Sequence, residues 1–239
     1  MKFASPLKRA KLIRRYKRFL ADVVLDDGTE TTVHCPNPGA MLGLAHEGAE
    51  IWLSPITSKT AKLPYRWEIE RRPDTLVGIN TMNPNRIVAT ALKAGLIPEL
   101  AGYSSVRPEV KYGSNSRIDF LLEDHVEDPR PCYVEVKNVH FWREGAADFP
   151  DSVTTRGRKH LLDLQDVVNH GARAIMLYVV QREDCDRLRF AADIDSDYAK
   201  TAGSTLRNGV GVLAYKCKVA LDAIHLDNEL PVELPRRSV

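Results

Sequence analysis

Two runs of alternating side chains, close together in the chain, limit what this sequence can fold into. They are Ser116-Arg117-Ile118-Asp119-Phe120-Leu121-Leu122-Glu123 and Cys132-Tyr133-Val134-Glu135-Val136-Lys137-Asn138-Val139. Each reads as a β-strand. Side chains on a strand repeat every two residues, so Glu135 and Lys137 project from one face. Ile118, Phe120 and Leu122 are expected on one face of the first run, with Arg117, Asp119 and Leu121 on the other. If the runs pair as a hairpin joined by Asp124 to Pro131, Asp119 shares the face of Glu135 and Lys137. Two carboxylates and an ammonium then converge on one point.

That set suits a hard divalent cation. Mg²⁺ (or Mn²⁺) takes oxygen ligands and keeps several waters, so one or two carboxylates plus a substrate phosphate suffice. Asp119 and Glu135 supply the carboxylates, the backbone carbonyl of Val136 a third oxygen. Lys137 positions the attacking water or offsets charge developing on a phosphate. This is the logic of phosphodiester hydrolysis. The bare spacing is also compatible with a solvated strand face carrying one ion pair, worth about 0–1 kcal/mol. Apolar residues hem in the polar ones on both runs, which favours central strands.

The rest of the chain separates into two parts, 1–82 and 83–239. In the first, Arg14 to Leu25 reads as one long strand and Asp26-Asp27-Gly28 as a hairpin turn. Thr29 to Cys35 returns, Pro36-Asn37-Pro38-Gly39 is a loop, and Met41 to Leu44 is a short helical turn. Ala49 to Leu53, Tyr65 to Arg71 and Thr75 to Asn80 complete five strands, a pattern that fits a small OB-like barrel. Phe19, Trp52, Tyr65 and Trp67 are candidate stacking residues, with a core position favoured for Trp52. Residues 1–20 hold eight Lys and Arg and no acid, although the net charge of the chain is only +2. Arg14, Arg15, Lys17 and Arg18 thus make a local positive field and a candidate DNA surface, with single strands among the ligands considered.

In the second part, Asn83 or Asn85 is expected to cap a helix starting near Pro84, with Ile87, Val88, Ala91, Leu92 and Leu96 as its apolar stripe. Val106 to Tyr112 is a strand, Gly113-Ser114-Asn115 a turn, and Phe141 to Val153 irregular. Thr154 or Thr155 caps a helix running to about Asn169. Arg156, Lys159 and His160 in its first turns are candidate phosphate ligands, because a helix start already favours anions. Ala174 to Val180 reads as a strand buried on both faces, and Gln181 at its carboxyl end is a weaker site candidate. Tyr198 to Arg207 is a helix, Gly209 to Tyr215 and Ala220 to Leu226 are strands, and Leu230 to Val239 is a surface tail. Glu99 and Glu109 are the acids that could extend the cation site. The four cysteines form no Cys-x-x-Cys or zinc pattern, and no run approaches the ~20 apolar residues of a membrane helix. A soluble cytoplasmic protein is expected, its oligomeric state left open.

The order helix, three strands, helix, strand, with Asp on the second strand and Glu-x-Lys on the third, resembles the PD-(D/E)xK nuclease fold. Lys17-Arg18-Phe19-Leu20-Ala21-Asp22-Val23, His34-Cys35-Pro36-Asn37, Lys62-Leu63-Pro64-Tyr65, Glu109-Val110-Lys111-Tyr112-Gly113, the two strands above, and Phe149-Pro150-Asp151-Ser152-Val153-Thr154 with Lys159-His160-Leu161 resemble the sugar fermentation stimulation protein (SfsA) family. The resemblance spans nearly the whole chain. It implies an OB-like barrel over 1–82 joined to a nuclease-like α/β domain over 83–239, DNA binding with little sequence preference, and a link to sugar (maltose) utilisation. Whether the chain cleaves DNA, or acts as a non-catalytic DNA-binding regulator, is left open by the resemblance. After Pro36-Asn37 the family usually has Thr-Gly-Ser-Met, whereas this chain has Pro38-Gly39-Ala40-Met41, so no ligand role is expected for that loop.

Overall fold

The computed structural model describes all residues except 59, 113–115 and 236–239; the turn read at 113–115 lies outside the described residues. Six strands open the chain: β1 (Lys8–Tyr16), β2 (Leu20–Leu25), β3 (Glu30–His34), β4 (Glu50–Pro55), β5 (Tyr65–Arg72) and β6 (Thr75–Gly78). β1 pairs with β2 and β4, β2 with β3, and β4 with β5, all antiparallel. A parallel bridge between His34 and Arg66 joins β3 to β5 and closes a five-stranded barrel. Alternate residues point inward: Ala10, Leu12, Ala21, Val23, Val33, Ile51, Leu53 and Trp67 fill the interior. Closure leaves the ring without free edges. β6 extends the sheet beyond β5 and leads into the second half.

There follow α1 (Asn83–Lys93), a 3₁₀ turn (Pro98–Leu100), β7 (Tyr103–Tyr112), β8 (Ser116–His125), β9 (Cys132–Val139), β10 (Trp142–Arg143), β11 (Ala146–Phe149), α2 (Thr155–Asn169), β12 (Arg173–Val180), β13 (Arg187–Phe190), α3 (Ser196–Arg207), β14 (Gly211–Val219), β15 (Ile224–Glu229) and β16 (Val232–Glu233). The main sheet runs β15-β14-β12-β9-β8-β7, and a small one runs β10-β11-β13-β16. β9, β12 and β14 are parallel neighbours at its centre, and β8 is antiparallel to β9. Central parallel strands need cover on both faces. α1 covers one face, packing Ile87, Val88 and Ala91 on Phe120, Leu122, Val134 and Leu177. α2 and α3 cover the other, with Leu161, Leu164, Tyr198 and Ala202 on Met176, Tyr178 and Val180.

Several local readings change. Arg14 to Leu25 is not one strand: the chain reverses at Lys17 and Arg18, both at positive φ (47° and 63°), so β1 and β2 form a hairpin with Tyr16 opposite Leu20. Met41 to Leu44 is a turn closed by one hydrogen bond from Leu44 N to Met41 O, not a helical turn. Trp67 is a sealed core residue whose Nε1 donates to Ile69 O, which removes it from the stacking candidates. Trp52 is buried too, but in the cluster beneath α1, where it and Ile69 fasten the barrel to the second half. Leu96 lies past the end of α1 and is exposed. The stretch 141–153 contains the strands β10 and β11, and Leu230 is buried, so the tail does not run along the surface from its start. Thr154 caps α2 as expected, its hydroxyl accepting from Gly157 N.

Candidate functional site

The β8–β9 ladder runs from Leu122 opposite Cys132 to Phe120 opposite Val134 and then stops. There the Asp119 side chain takes over from the backbone: its Oδ2 accepts from Val136 N at 2.7 Å. The strand alternation breaks at this point. Ile118 packs with Leu121 and the α2-side cluster, not with Phe120 as the even spacing suggests. Asp119 Oδ1 accepts from Asn85 Nδ2 of α1 at 2.7 Å. Glu135 is buried, 3% exposed. Its Oε1 is held by Lys137 Nζ at 2.6 Å and by His160 Nδ1 of α2, while its Oε2 is buried without a partner. The expected convergence of Asp119, Glu135 and Lys137 is therefore present. They line a cleft of about 410 Å³ with Val136, Arg156, His160, Thr81, Met82, Asn85 and Glu109.

The two carboxylates sit in opposite electrostatic states. Burial pushes the Asp119 carboxyl up from its ordinary value, and the neighbouring Glu135 charge pushes the same way, against the bonds from Val136 and Asn85. Burial opposes ionisation of Glu135 as well, but the His160 hydrogen bond and the Lys137 charge outweigh it and hold that carboxyl below its ordinary value. Unequal neighbouring acids of this kind are common where a site needs them. Among the described residues no three His, Cys, Asp or Glu groups gather as a ready-made metal cage. A cation here would rest on two carboxylates and complete its shell with backbone oxygen, water or substrate, which is the usual habit of Mg²⁺. The donor set fits: Glu135 Oε2 is unclaimed, and each carboxylate oxygen of Asp119 retains a second lone pair. A strand residue directs its N–H and C=O to the same edge, so the Val136 carbonyl also faces the Asp119 side.

The other candidates separate. Arg156 lines the cleft, its Nε 3.3 Å from His160 Nε2, so part of its reach is spent orienting the imidazole. His160 binds Glu135 directly and is a carboxylate partner first. Lys159 is turned away, donating to Ser116 Oγ (2.6 Å) and Asp163 (2.7 Å). In the barrel, Arg14 is paired with Asp22 at 2.9 Å and stacked on Tyr16. Arg15 donates to the carbonyls of Asn37 and Gly39 and holds the loop in place. Lys17 and Arg18 stand exposed at the hairpin tip. Gln181 is fully buried between the two halves, bound to Asn80 O and Asn138 Oδ1. Glu99 accepts from the Tyr215 hydroxyl, outside the cleft lining, whereas Glu109, at positive φ, lines the cleft. Asn83 and Asn85 do not cap α1, which has no side-chain cap. Their amides go to Glu68 and Asp119 instead. No local sequence signal separates a capping Asn from one aimed at a carboxylate 34 residues away. The loop at 36–41 ties the halves together, Met41 N donating to Asp151 Oδ2 at 2.9 Å.

Fold and cleft together define a class: a closed OB-type barrel joined to an α/β domain that presents two carboxylates and a lysine on adjacent strands. The chain belongs to the sugar fermentation stimulation protein family. The family model described as the SfsA N-terminal OB domain matches residues 13–79, and that described as the sugar fermentation stimulation protein RE domain matches residues 82–223. The chain is 55% identical to the sugar fermentation stimulation protein homolog of Paramagnetospirillum magneticum, covering 99% of this chain and all of that one. It is 54% identical to the homolog of Rhodospirillum centenum, covering 96% and 98%. The structure of Pyrococcus furiosus SfsA, described in complex with Ca²⁺, superposes with a TM-score of 0.88 at 23% identity over 98% of each chain. That likeness is one of fold.

Proposed function

We propose that this protein is a phosphodiesterase dependent on Mg²⁺ or Mn²⁺ that acts on DNA with little sequence preference. The observation that carries the reading is Glu135 Oε2, a buried carboxylate oxygen with no donor, in a cleft shared with Asp119. A buried acceptor left without a donor is costly, and a bound cation removes that cost. Asp119, Glu135 and the Val136 carbonyl would hold the ion, which would neutralise the acids and polarise the phosphodiester. Lys137, fixed by Glu135, orients the attacking water. Arg156 at the cleft rim binds the nonbridging phosphate oxygens, and His160 keeps Glu135 in place. The Ca²⁺ described for the Pyrococcus furiosus protein is of the same hard-cation chemistry. Among the described residues no helix is long and apolar enough to cross a membrane. The four buried free cysteines suit the reducing cytoplasm, where we place the protein.

The test is cleavage of plasmid, single-stranded circles and labelled RNA with Mg²⁺ or Mn²⁺, against EDTA. Metal-dependent cleavage that falls at least about 100-fold in Glu135→Gln is expected, as for loss of a charge-stabilising group. No cleavage of any form, or a fully active Glu135→Gln, refutes the reading. The exposed cations of the hairpin tip, which do not line the cleft, favour a second reading, a DNA-binding regulator of sugar (maltose) use that acts by occupancy. It predicts affinity that falls steeply with salt and is indifferent to Asp119→Ala.

A further inference from the structure

The outer face of the barrel carries a group of residues that the hydrolytic reading does not use. Phe19 is 45% exposed and stacks on His34 with ring centroids 6.4 Å apart and planes 29° from parallel. Lys17 and Arg18 flank it at the hairpin tip. Arg66, the bridge partner of His34, shares its face, and its Nε is buried without a partner. Among the described residues none of these three cations has a carboxylate within ion-pair distance. Burial, with Arg66 beside it, holds the His34 imidazolium below its ordinary range, so the ring is neutral near pH 7 and stacks as an aromatic.

This face leads to the cleft. Phe19 O accepts from Cys35 N at 2.8 Å, and the next residue, Pro36, accepts at its carbonyl from Thr81 N (3.1 Å) and Thr81 Oγ1 (2.8 Å). Thr81 lines the cleft. Two residues beyond Arg66 on the same strand, Glu68 accepts from Asn83 at 3.0 Å, and Asn85, two residues further along α1, holds Asp119. Aromatic rings beside unpaired cations are the means by which proteins hold unpaired nucleobases, since every base has a face to stack and every phosphate a charge to neutralise. A base inside a duplex has no free face.

We infer that the Phe19–His34 pair, with Lys17, Arg18 and Arg66, is the stacking platform for a single nucleic-acid strand that runs along the barrel into the Asp119–Glu135 cleft, and that the substrate is single-stranded. This rests on the hydrolytic reading for the direction of the strand, but the platform can be tested without cleavage. Anisotropy in EDTA measures the binding of labelled dT12 and U12 and of a hairpin duplex, at fixed salt; a strand of about twelve nucleotides lies within the roughly 4–16 that an OB barrel covers. The single strand is expected to bind at least about ten-fold more tightly than the duplex. Phe19→Ala should weaken it by roughly 5- to 150-fold, the loss of one base–aromatic stack, and Phe19→Trp should restore it. Losses of similar size are expected on dT12 and U12, because stacking ignores the 2′-hydroxyl. Wild-type affinity in Phe19→Ala, a duplex bound as tightly as the strand, or no binding to any probe overturns the inference. If this pattern holds while the cleavage assay is blank, the platform stands and the hydrolytic reading falls. If cleavage is present and Phe19→Ala alters neither Kd nor kcat/KM, the platform falls and the hydrolytic reading stands.

Discussion

Glu70 allows the energetics of the barrel to be tested with a number. Its side chain is fully buried. Oε2 accepts from Ala45 N at 2.9 Å, Oε1 has no hydrogen-bond partner, and Arg72 approaches only to 3.7 Å. Burial raises its carboxyl to about 7, against the Ala45 bond and the Arg72 and Arg182 charges, which pull down. The unfolded chain ionises near 4.5. Between those values the folded state binds the extra proton, so stability falls as pH rises through the window and is level on either side. At about 1.36 kcal/mol per pH unit the gap comes to about 3 kcal/mol lost by pH 8. Glu70→Gln removes the titration and keeps an oxygen for Ala45 N. The variant should therefore gain about 3 kcal/mol relative to wild type between pH 4.5 and pH 8. Urea unfolding of both proteins across that range, compared through midpoints at a common slope, measures it. A difference between the proteins that does not change with pH, or one that moves against Glu70→Gln as pH rises, refutes the assignment.

Three further outcomes follow from other contacts. Asp119→Asn and Glu135→Gln should each abolish a Mn²⁺ isotherm seen calorimetrically with wild type while leaving the fold intact by circular dichroism, since the isosteres keep the local packing. Gly78→Ala places a Cβ 2.5 Å from Gln181 Oε1 and should cost about 1–3 kcal/mol as an overpacked contact; Gln181→Ala should recover at least about 1 kcal/mol of it, a coupling that a double-mutant cycle reads directly. Trp67→Ala, in the sealed barrel interior, should cost about 3–5 kcal/mol in urea unfolding.

The features written locally were legible, and those settled by distant contacts were not. β9 and β12 read correctly because alternation and a continuous apolar run are properties of the segment itself, and α2 because Thr154 stands just before its apolar stripe. The barrel hairpin at Lys17 and Arg18 was hidden because two basic residues adopt positive φ where turn chemistry ordinarily calls for Gly or Asn. β13 (Arg187–Phe190) alternates arginine with apolar residues, but four residues are too short a run to mark a strand, and its two arginines bind acids across the small sheet. Glu135 and Lys137 were readable as a pair because a strand repeats every two residues, whereas Asp119 joins them where the alternation of β8 breaks. The partners Asn85 and His160 come from two different helices on opposite faces of the sheet, and only the tertiary fold brings them in. Phe19 and Trp67 were both candidate stacking residues, yet Trp67 faces inward from its strand and Phe19 stands exposed in a turn, because place in the fold, not aromaticity, decides which ring is buried.

The junction between barrel and α/β domain is polar where an apolar one would have sufficed, and this has a consequence for the chemistry. Glu68, 3% exposed, takes hydrogen bonds from Ser54 and Asn80 of its own half and from Asn83 at the start of the second. Swinging the barrel away would strip a buried carboxylate of one of its donors, a change of the kind that costs about 1–3 kcal/mol. The Asp151 bond to Met41 N and the Gln181 bond to Asn80 O oppose the same motion. An apolar seam such as that under Trp52 tolerates sliding, whereas hydrogen bonds fix one angle. The barrel face at Phe19 and the carboxylates at Asp119 and Glu135 are therefore held at a set separation. On the proposed reading, a strand bound across both would be measured by the protein, and the position of a cut would follow from where its bases dock, not from their sequence.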